Sequence, residues 1–332
     1  MIGPTGDGVT DQDALVSRDD VEAAARRLQG QAIRTPIVSA LDLGERLGVS
    51  CGVKAESLQR TGSFKFRGAY NYIATMHPAD RSRGVIAPSS GNHGQAVACV
   101  AAIFGIPATI VMPTTVTAIK RVGVERYGAT AVLAGTTTDD RMSAAEDLAK
   151  STGAIVVPPY DNTAIIAGQA TCGLEILADQ PSATTIVVPV GGGGLSGGIA
   201  TIVKLVRPGA RVIVVEPDGA AKLSAAWRAG SPVRLESAES AADGLLAIKI
   251  GYRNFAHLRR FADEVVTVTE NEIATATAYL FRELKLVAEP SGATALAALL
   301  AGKITPTGET IAVLSGGNIS IEALRAFCGN FS

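Results

Sequence analysis

The chain has 332 residues, 47% of them hydrophobic and 18% charged, with 36 glycines and a formal net charge of -1. That length fills one large or two medium domains with complete cores, and near-neutrality speaks against a nucleic-acid partner, because phosphate contacts need a basic face. Apolar runs stop short of a membrane span, no signal segment opens the chain, and three histidines with scattered Cys51, Cys99, Cys172 and Cys328 lack metal-ligand spacing, so a cytoplasmic protein with buried thiols is expected.

Residues 1–16, rich in Gly, Asp and Thr, have the composition of a flexible leader. Ser17 and Asp20 make a capping box for a helix through Gln29, which Gly30 closes. Thr35-Pro36 is extended, a short helix covers 39–47, and a strand at 52–56 leads into Thr61-Gly62-Ser63-Phe64-Lys65-Phe66-Arg67-Gly68-Ala69. Strands then follow at 84–88, 108–112, 129–133 and 154–157, alternating with helices at 93–104, 117–127 and 138–151. The second half repeats the habit, with helices at 163–178, 195–206 and 220–228 between strands at 185–190 and 211–216. An irregular stretch, 231–250, precedes a strand at 265–268, helices at 271–285 and 291–301, a last strand at 310–314 and a short closing helix. Such alternation builds parallel sheets with helices on both faces. The spacing fits an α/β protein of two doubly wound lobes, a small one over 75–152 inserted into a larger one made of 1–74 and 153–332.

In a chain so poor in charge, Lys65 stands between two phenylalanines. Burial between aromatic walls disfavours the ammonium form, lowers the pKa and frees a nucleophilic amine, which adds to carbonyls as a Schiff base. A helix-start lysine that packs its stem and keeps its head in water fits the same residues.

Three turns follow strands and precede helices. Gly191-Gly192-Gly193-Gly194 lets bare backbone N–H groups converge on an anion at a helix N-terminus, and phosphate is the natural guest. Gly192-x-Gly194-x-x-Gly197 also fits a dinucleotide fingerprint, with Glu216 ending the next strand where a ribose-binding acid belongs, so an NAD-dependent oxidoreductase is a rival. That rival leaves Lys65 without a task. Ser89-Ser90-Gly91-Asn92-His93-Gly94 offers amides and hydroxyls suited to a carboxylate, and an Asn92 amide able to donate to a phenolate or carbonyl oxygen; the same residues also make a plain helix cap. Ser315-Gly316-Gly317-Asn318 puts a hydroxyl at a strand's C-terminal end, where ligands bind in open sheets, or simply turns the chain.

Taken with Ala288-Glu289-Pro290-Ser291-Gly292, these stretches resemble, in the same order, those of the threonine/serine dehydratase and serine racemase family, pyridoxal-phosphate enzymes with the tryptophan synthase beta-chain fold (fold type II). The resemblance runs from about residue 18 to the end. It implies that the larger lobe holds the cofactor, with Lys65 attached as a Schiff base and later acting as base at the substrate's alpha carbon. It implies Phe64 beside the ring, Gly191, Gly192, Gly193, Gly194 and Leu195 around the phosphate, Asn92 on the ring oxygen and Ser315 facing the pyridine nitrogen. A hydroxyl there leaves the ring a poorer electron sink than a carboxylate would, which favours expulsion of a beta leaving group. The implied substrate-binding turn is Ser89, Ser90, Gly91, Asn92 and His93.

The implied reaction is loss of water from L-threonine or L-serine, giving an enamine that hydrolyses to a 2-oxo acid and ammonia. Serine racemase, 3-hydroxyaspartate dehydratase and phenylserine dehydratase are the alternatives on the same scaffold. Ser90, where many threonine dehydratases carry alanine, resembles the serine racemases and hydroxyaspartate dehydratases and implies a hydroxyl able to reprotonate from the face opposite Lys65. Arg141 resembles a position that meets a second carboxylate in enzymes of acidic amino acids, although a surface arginine is the preferred reading of it. The family's divalent-cation positions fall on Glu216, Ala220 and Lys222; a charged lysine cannot ligate a metal, so its ammonium is expected in the charge slot beside Glu216, with no divalent requirement. The resemblance also implies a homodimer, and the chain's end soon after Asn318 implies no isoleucine feedback.

Overall fold

Two sheets organise the chain, described in a computed structural model for residues 15–329 apart from Ser90 and Thr117. In chain order the elements are α1 (Arg18–Leu28), β1 (Ile37–Ser39), α2 (Leu41–Leu47), β2 (Cys51–Ala55), α3 (Lys65–Thr75), α4 (Pro78–Arg81), β3 (Val85–Pro88) and α5 (Asn92–Phe104). They continue as β4 (Ala108–Met112), α6 (Ala118–Glu125), β5 (Thr130–Leu133), α7 (Thr138–Thr152), β6 (Ile155–Val156), α8 (Thr163–Asp179), β7 (Thr185–Pro189), α9 (Gly194–Val206) and β8 (Arg211–Pro217). The last are α10 (Lys222–Ala229), α11 (Tyr252–Phe261), β9 (Glu264–Val268), α12 (Glu270–Arg282), α13 (Pro290–Leu300), β10 (Thr310–Leu314) and α14 (Ile321–Gly329).

The larger sheet has six strands in the order β1-β2-β10-β7-β8-β9, and the smaller has four, β5-β4-β3-β6. All pairings are parallel except the antiparallel edge β1–β2. Burial on both faces explains the unbroken apolar strands. Along β10, Ile311 and Val313 enter the core with residues of α8 and α9, while Ala312 and Leu314 enter the opposite core with α12 and α13. Because β10 and β7 are parallel neighbours, the turns after both open at the same edge of the sheet. This is where ligands meet open α/β sheets.

Several elements depart from expectation, among them the short helix α4, where no helix is expected. Residues 37–39 form edge strand β1 instead of opening a helix at 39. The helix α11 arises where none is expected, because its inner face carries fully buried Asn254 and His257, which hide the apolar period. Most of the 1–16 stretch lies outside the described residues; at its end Val16 is buried and donates its backbone N–H to His257 Nε2 at 2.8 Å, the opposite of a loose leader. Cys51, Cys99 and Cys172 are buried and Cys328 is half-buried, all as free thiols. Among the described residues no helix is long and apolar enough to cross a membrane.

Candidate active site

Lys65 opens α3, and the chain is held in place just before it. Ser63 bridges to Gly316, and Phe64 donates its N–H to the Ser315 carbonyl at 3.0 Å. Thr61 takes the left-handed region, φ 63°, which costs a non-glycine residue about 1–2 kcal/mol. Asn318 holds it there, its Nδ2 donating to the Thr61 carbonyl at 2.7 Å, while Gly317 N–H meets the Gly62 carbonyl at 2.9 Å. The turn after the last strand thus sets the position of the lysine.

Lys65 Nζ donates to the Pro159 carbonyl at 2.8 Å and lies 5.2 Å from the Phe64 ring centroid. The expected pair of aromatic walls is only half present. Phe66 points into a different core and stacks on Tyr70, because adjacent helical residues diverge by about 100°. Loss of water around the amine still pulls its pKa down to about 8, with the Glu289 charge acting in the other direction. The side chain remains partly open to the cleft.

The glycine run is shaped by side chains from distant segments. A Cβ on Gly192 would collide with the Tyr160 ring, and one on Gly193, at φ 99°, would lie 2.7 Å from Asn254 Cβ. Asn254 Nδ2 donates to the Gly192 carbonyl at 2.8 Å, fixing the run's shape. Helix α9 starts at Gly194 with no side-chain cap, which leaves its first-turn N–H groups for a ligand; Leu195 is buried in the core behind them. Pro159 and Tyr160 join the two halves of the site, one receiving Lys65 and the other packing on the glycines.

At the third turn Ser89 Oγ accepts from Gly91 N–H at 3.2 Å, and a Cβ on Gly94 would strike the Ser89 carbonyl. Ser90 lies outside the described residues. The His93 ring is buried with Nε2 3.0 Å from the Val157 carbonyl, and burial, then the Lys65 charge, push it down to about 3. It is therefore a neutral packing ring and not an acid or base. Asn92 Nδ2 donates to Glu289 Oε1 at 2.6 Å, and Asn92 Oδ1 accepts from Asn318 Nδ2 at 2.7 Å. Burial, followed by the Asp243 charge, raises Glu289 to about 8, so it carries a proton near neutrality. Ser315 is buried at the end of β10.

Glu289, Asn318, Tyr160, Asn254 and the Pro159 carbonyl went unassigned from sequence. Only Glu289 carried a signal, a carboxylate inside an otherwise small and apolar motif. The dinucleotide reading fails on Glu216. That carboxylate is fully buried and accepts the N–H groups of Leu223 and Ser224 at 2.9 and 2.7 Å, so no ribose can reach it.

A desolvated lysine amine, a side-chain-free anion cradle and a buried Ser63 hydroxyl without a hydrogen-bond partner fit a phosphate-bearing aldehyde. Fold and site define a pyridoxal-phosphate-dependent enzyme, and residues 28–316 match the family model described in those words. L-threonine ammonia-lyase of Thermotoga maritima is 41% identical over 93% of this chain and 77% of its own length. L-threo-3-hydroxyaspartate ammonia-lyase of Saccharomyces cerevisiae is 36% identical over 91% and 93%. The structure of maize serine racemase matches with a TM-score of 0.91 at 32% identity, covering 96% of this chain and 98% of that one. The chain belongs to the threonine/serine dehydratase and serine racemase family of pyridoxal-phosphate enzymes.

Proposed function

We propose that this enzyme removes water from L-threonine or L-serine and releases a 2-oxo acid and ammonia. The observation that carries the reading is the Lys65 amine, its pKa near 8, resting on Pro159, whose neighbour Tyr160 packs on the glycine run, and felt by the charge of Glu289, the partner of Asn92. The cofactor, when bound, supplies an electron sink at the amino acid's alpha carbon. The rest falls to the chain. Gly191 to Leu195 would hold the phosphate with backbone N–H groups, and Phe64 would flank the ring. Asn92 Nδ2 would offer its second hydrogen to the ring oxygen, Ser315 would face the ring nitrogen, and the Ser89–His93 turn would bind the substrate carboxylate. Lys65 Nζ accepts the alpha proton. The beta hydroxyl leaves as water with the proton that Lys65 took, and the resulting enamine takes up water and frees ammonia.

Incubation with a panel of beta-hydroxy amino acids is expected to yield 2-oxo acid and ammonia in equal amounts, with threonine or serine the best substrates. Turnover confined to another amino acid, or none, would overturn the reading. The chain is also proposed to work as a cytoplasmic homodimer, checked by sedimentation and cell fractionation.

Two further results are expected. Cofactor uptake by the apo-protein should accelerate as pH rises and level off above about 8, because only the unprotonated Lys65 amine reacts; a flat profile from pH ~6 to ~9 would contradict it. Gly192→Ala forces its methyl into the Tyr160 ring, an overpacking worth about 1–3 kcal/mol. Cofactor titration should then show binding weakened by roughly 5- to 150-fold.

A second reading, a hydroxyaspartate dehydratase, is favoured by Arg141. Its Nε is buried without a hydrogen-bond partner, although Nη2 donates to Thr138 Oγ1 at 3.0 Å. A substrate's second carboxylate would complete it. Preference for 3-hydroxyaspartate in the same panel, lost in Arg141→Ala, would select this reading. Racemase side activity rests on Ser90; it should disappear in Ser90→Ala while elimination persists.

A further inference from the structure

His257 sits on the inner face of α11, fully buried, and the chemistry described so far makes no use of it. Its two ring nitrogens have fixed duties. A backbone N–H can only donate, so Nε2, 2.8 Å from the Val16 nitrogen, is an acceptor. The Arg253 carbonyl, 2.7 Å from Nδ1, can only accept, so the ring's one proton sits on that nitrogen. The ring is therefore neutral and held in one tautomer. What it holds is the segment that leads into α1. Val16 is buried with Val21 of α1, Ile166 of α8 and Ile202 of α9. The bond to His257, across 241 positions of chain, ties α11 to that cluster.

The helix tied in this way is the one that shapes the phosphate cradle. Asn254 precedes His257 by one turn, and a Cβ on Gly197 of α9 would touch both, His257 Cβ at 3.4 Å and the Asn254 carbonyl oxygen at 3.6 Å. The Gly192 carbonyl receives the Gly251 N–H at 3.2 Å as well as the Asn254 amide at 2.8 Å. Asp161, next to Tyr160, caps the same helix by accepting the N–H groups of Tyr252 and Arg253, each at 3.0 Å. We propose that His257 is a proton-sensitive positioning residue: neutral, it pins Val16 and seats α11 on the glycine run, and on gaining a second proton it releases Val16 and loosens the phosphate site. A doubly protonated ring has two donors and no acceptor, so it would turn an N–H toward the Val16 N–H. Asp161, from the segment between β6 and α8, favours the added proton, and the Arg253 charge, on α11, opposes it; α9 presents Gly197 to the ring, and the segment before α1 presents Val16. Burial outweighs the Arg253 carbonyl and Asp161 and holds the ring below the ordinary histidine value. The folded chain thus takes up this proton less readily than the unfolded one, so stability is lost as pH falls below about 6.5.

The device acts on the cofactor site whichever amino acid is the substrate, so the readouts are cofactor affinity and backbone exchange. Wild type, His257→Gln and His257→Leu are compared at pH about 7.5 and about 5.5, either side of the ordinary histidine value. Each is titrated with pyridoxal phosphate, and hydrogen exchange is followed in the peptide carrying residues 15–17, corrected for the intrinsic pH dependence of exchange. Wild type should protect the Val16 amide at the higher pH and lose that protection at the lower. His257→Gln, whose amide oxygen accepts from Val16 and does not titrate, should protect it at both. His257→Leu fills the space without an acceptor and should protect it at neither, binding cofactor about 2- to 10-fold more weakly at the higher pH, the range one hydrogen bond is worth. Lys65 titrates in all three proteins, so the signature is the excess: acid should weaken wild type about 2- to 10-fold more than it weakens His257→Gln. Nitrogen-15 spectra of the three histidines locate the His257 titration in the wild type. A Val16 exchange midpoint that departs from that titration, an equal acid loss of affinity in wild type and His257→Gln, or wild-type affinity in His257→Leu would each overturn the proposal. The wild-type exchange and titration curves decide the matter even if neither variant folds.

Discussion

Lys65→Ala is expected to lose turnover by a factor of about 10⁴ or more, the upper end of what one positioned acid–base group supplies, and to bind cofactor without the yellow colour that borohydride fixes. Lys65→Arg should be equally inactive, although it keeps length and charge. A guanidinium stays protonated at every working pH, so it can neither attack a carbonyl nor accept a proton. The geometry makes the two replacements informative as a pair. Lys65 Nζ rests on the Pro159 carbonyl at 2.8 Å, a contact that either cation can make, so a purely structural role would survive in Lys65→Arg. Adding a small primary amine to Lys65→Ala should recover part of the proton transfer in a pH-dependent way. A colourless Lys65→Ala protein of normal activity would end the assignment.

The largest effect on stability is expected from Arg67→Met. Arg67, 1% exposed, donates Nε to Glu56 Oε2 at 2.8 Å and Nη2 to Oε1 at 2.7 Å, and reaches both oxygens of Glu175 on α8 at 2.7 and 2.8 Å. Lys54 Nζ closes the network on Glu175 at 2.6 Å. One guanidinium thus ties the lysine-bearing helix α3 to the end of β2 and to α8. Removing it strands the fully buried Glu56 carboxylate, which costs about 3–5 kcal/mol. For a chain of this length that lowers the melting midpoint by on the order of 5 °C. The double variant Arg67→Met, Glu56→Gln should regain part of the loss, because the uncompensated charge is gone.

The pH dependence of this pair has a defined sign. Burial alone would raise Glu56, but the Arg67 charge and hydrogen bonds, with Thr35 and Lys54, hold it below the usual carboxylate value. A carboxyl held low contributes stability above its unfolded pKa, about 4.3. That contribution is lost as pH falls through the folded value. In Arg67→Met burial dominates and the carboxyl gains by protonation, so the stability gap should narrow as pH falls from about 7 toward 4. Chemical denaturation across that range measures it. A single-variant loss under about 1 kcal/mol, or a gap that widens in acid, would contradict the account.

Much of this enzyme was legible in the chain. Strand–helix alternation showed a parallel α/β architecture because turn residues and apolar period are local signals. The glycine run stood out because four residues without side chains between a strand and a helix have few other uses. Helix α11 was hidden by its buried Asn254, and β1 by its brevity, three residues on a sheet edge. Phe66 was misread as a wall of Lys65 because adjacency in sequence was taken for adjacency in space.

By itself the sequence singled out the glycine run and Lys65 and carried the family's order of motifs. Only the tertiary structure decided that His93 is a neutral packing ring, that Glu289 holds a proton against Asn92 from 197 residues away, and that Glu216 serves α10 instead of a nucleotide. The physical reason is that protonation follows from desolvation and neighbouring charge. Both are properties of what the fold brings together across the chain, and neither is encoded in local composition.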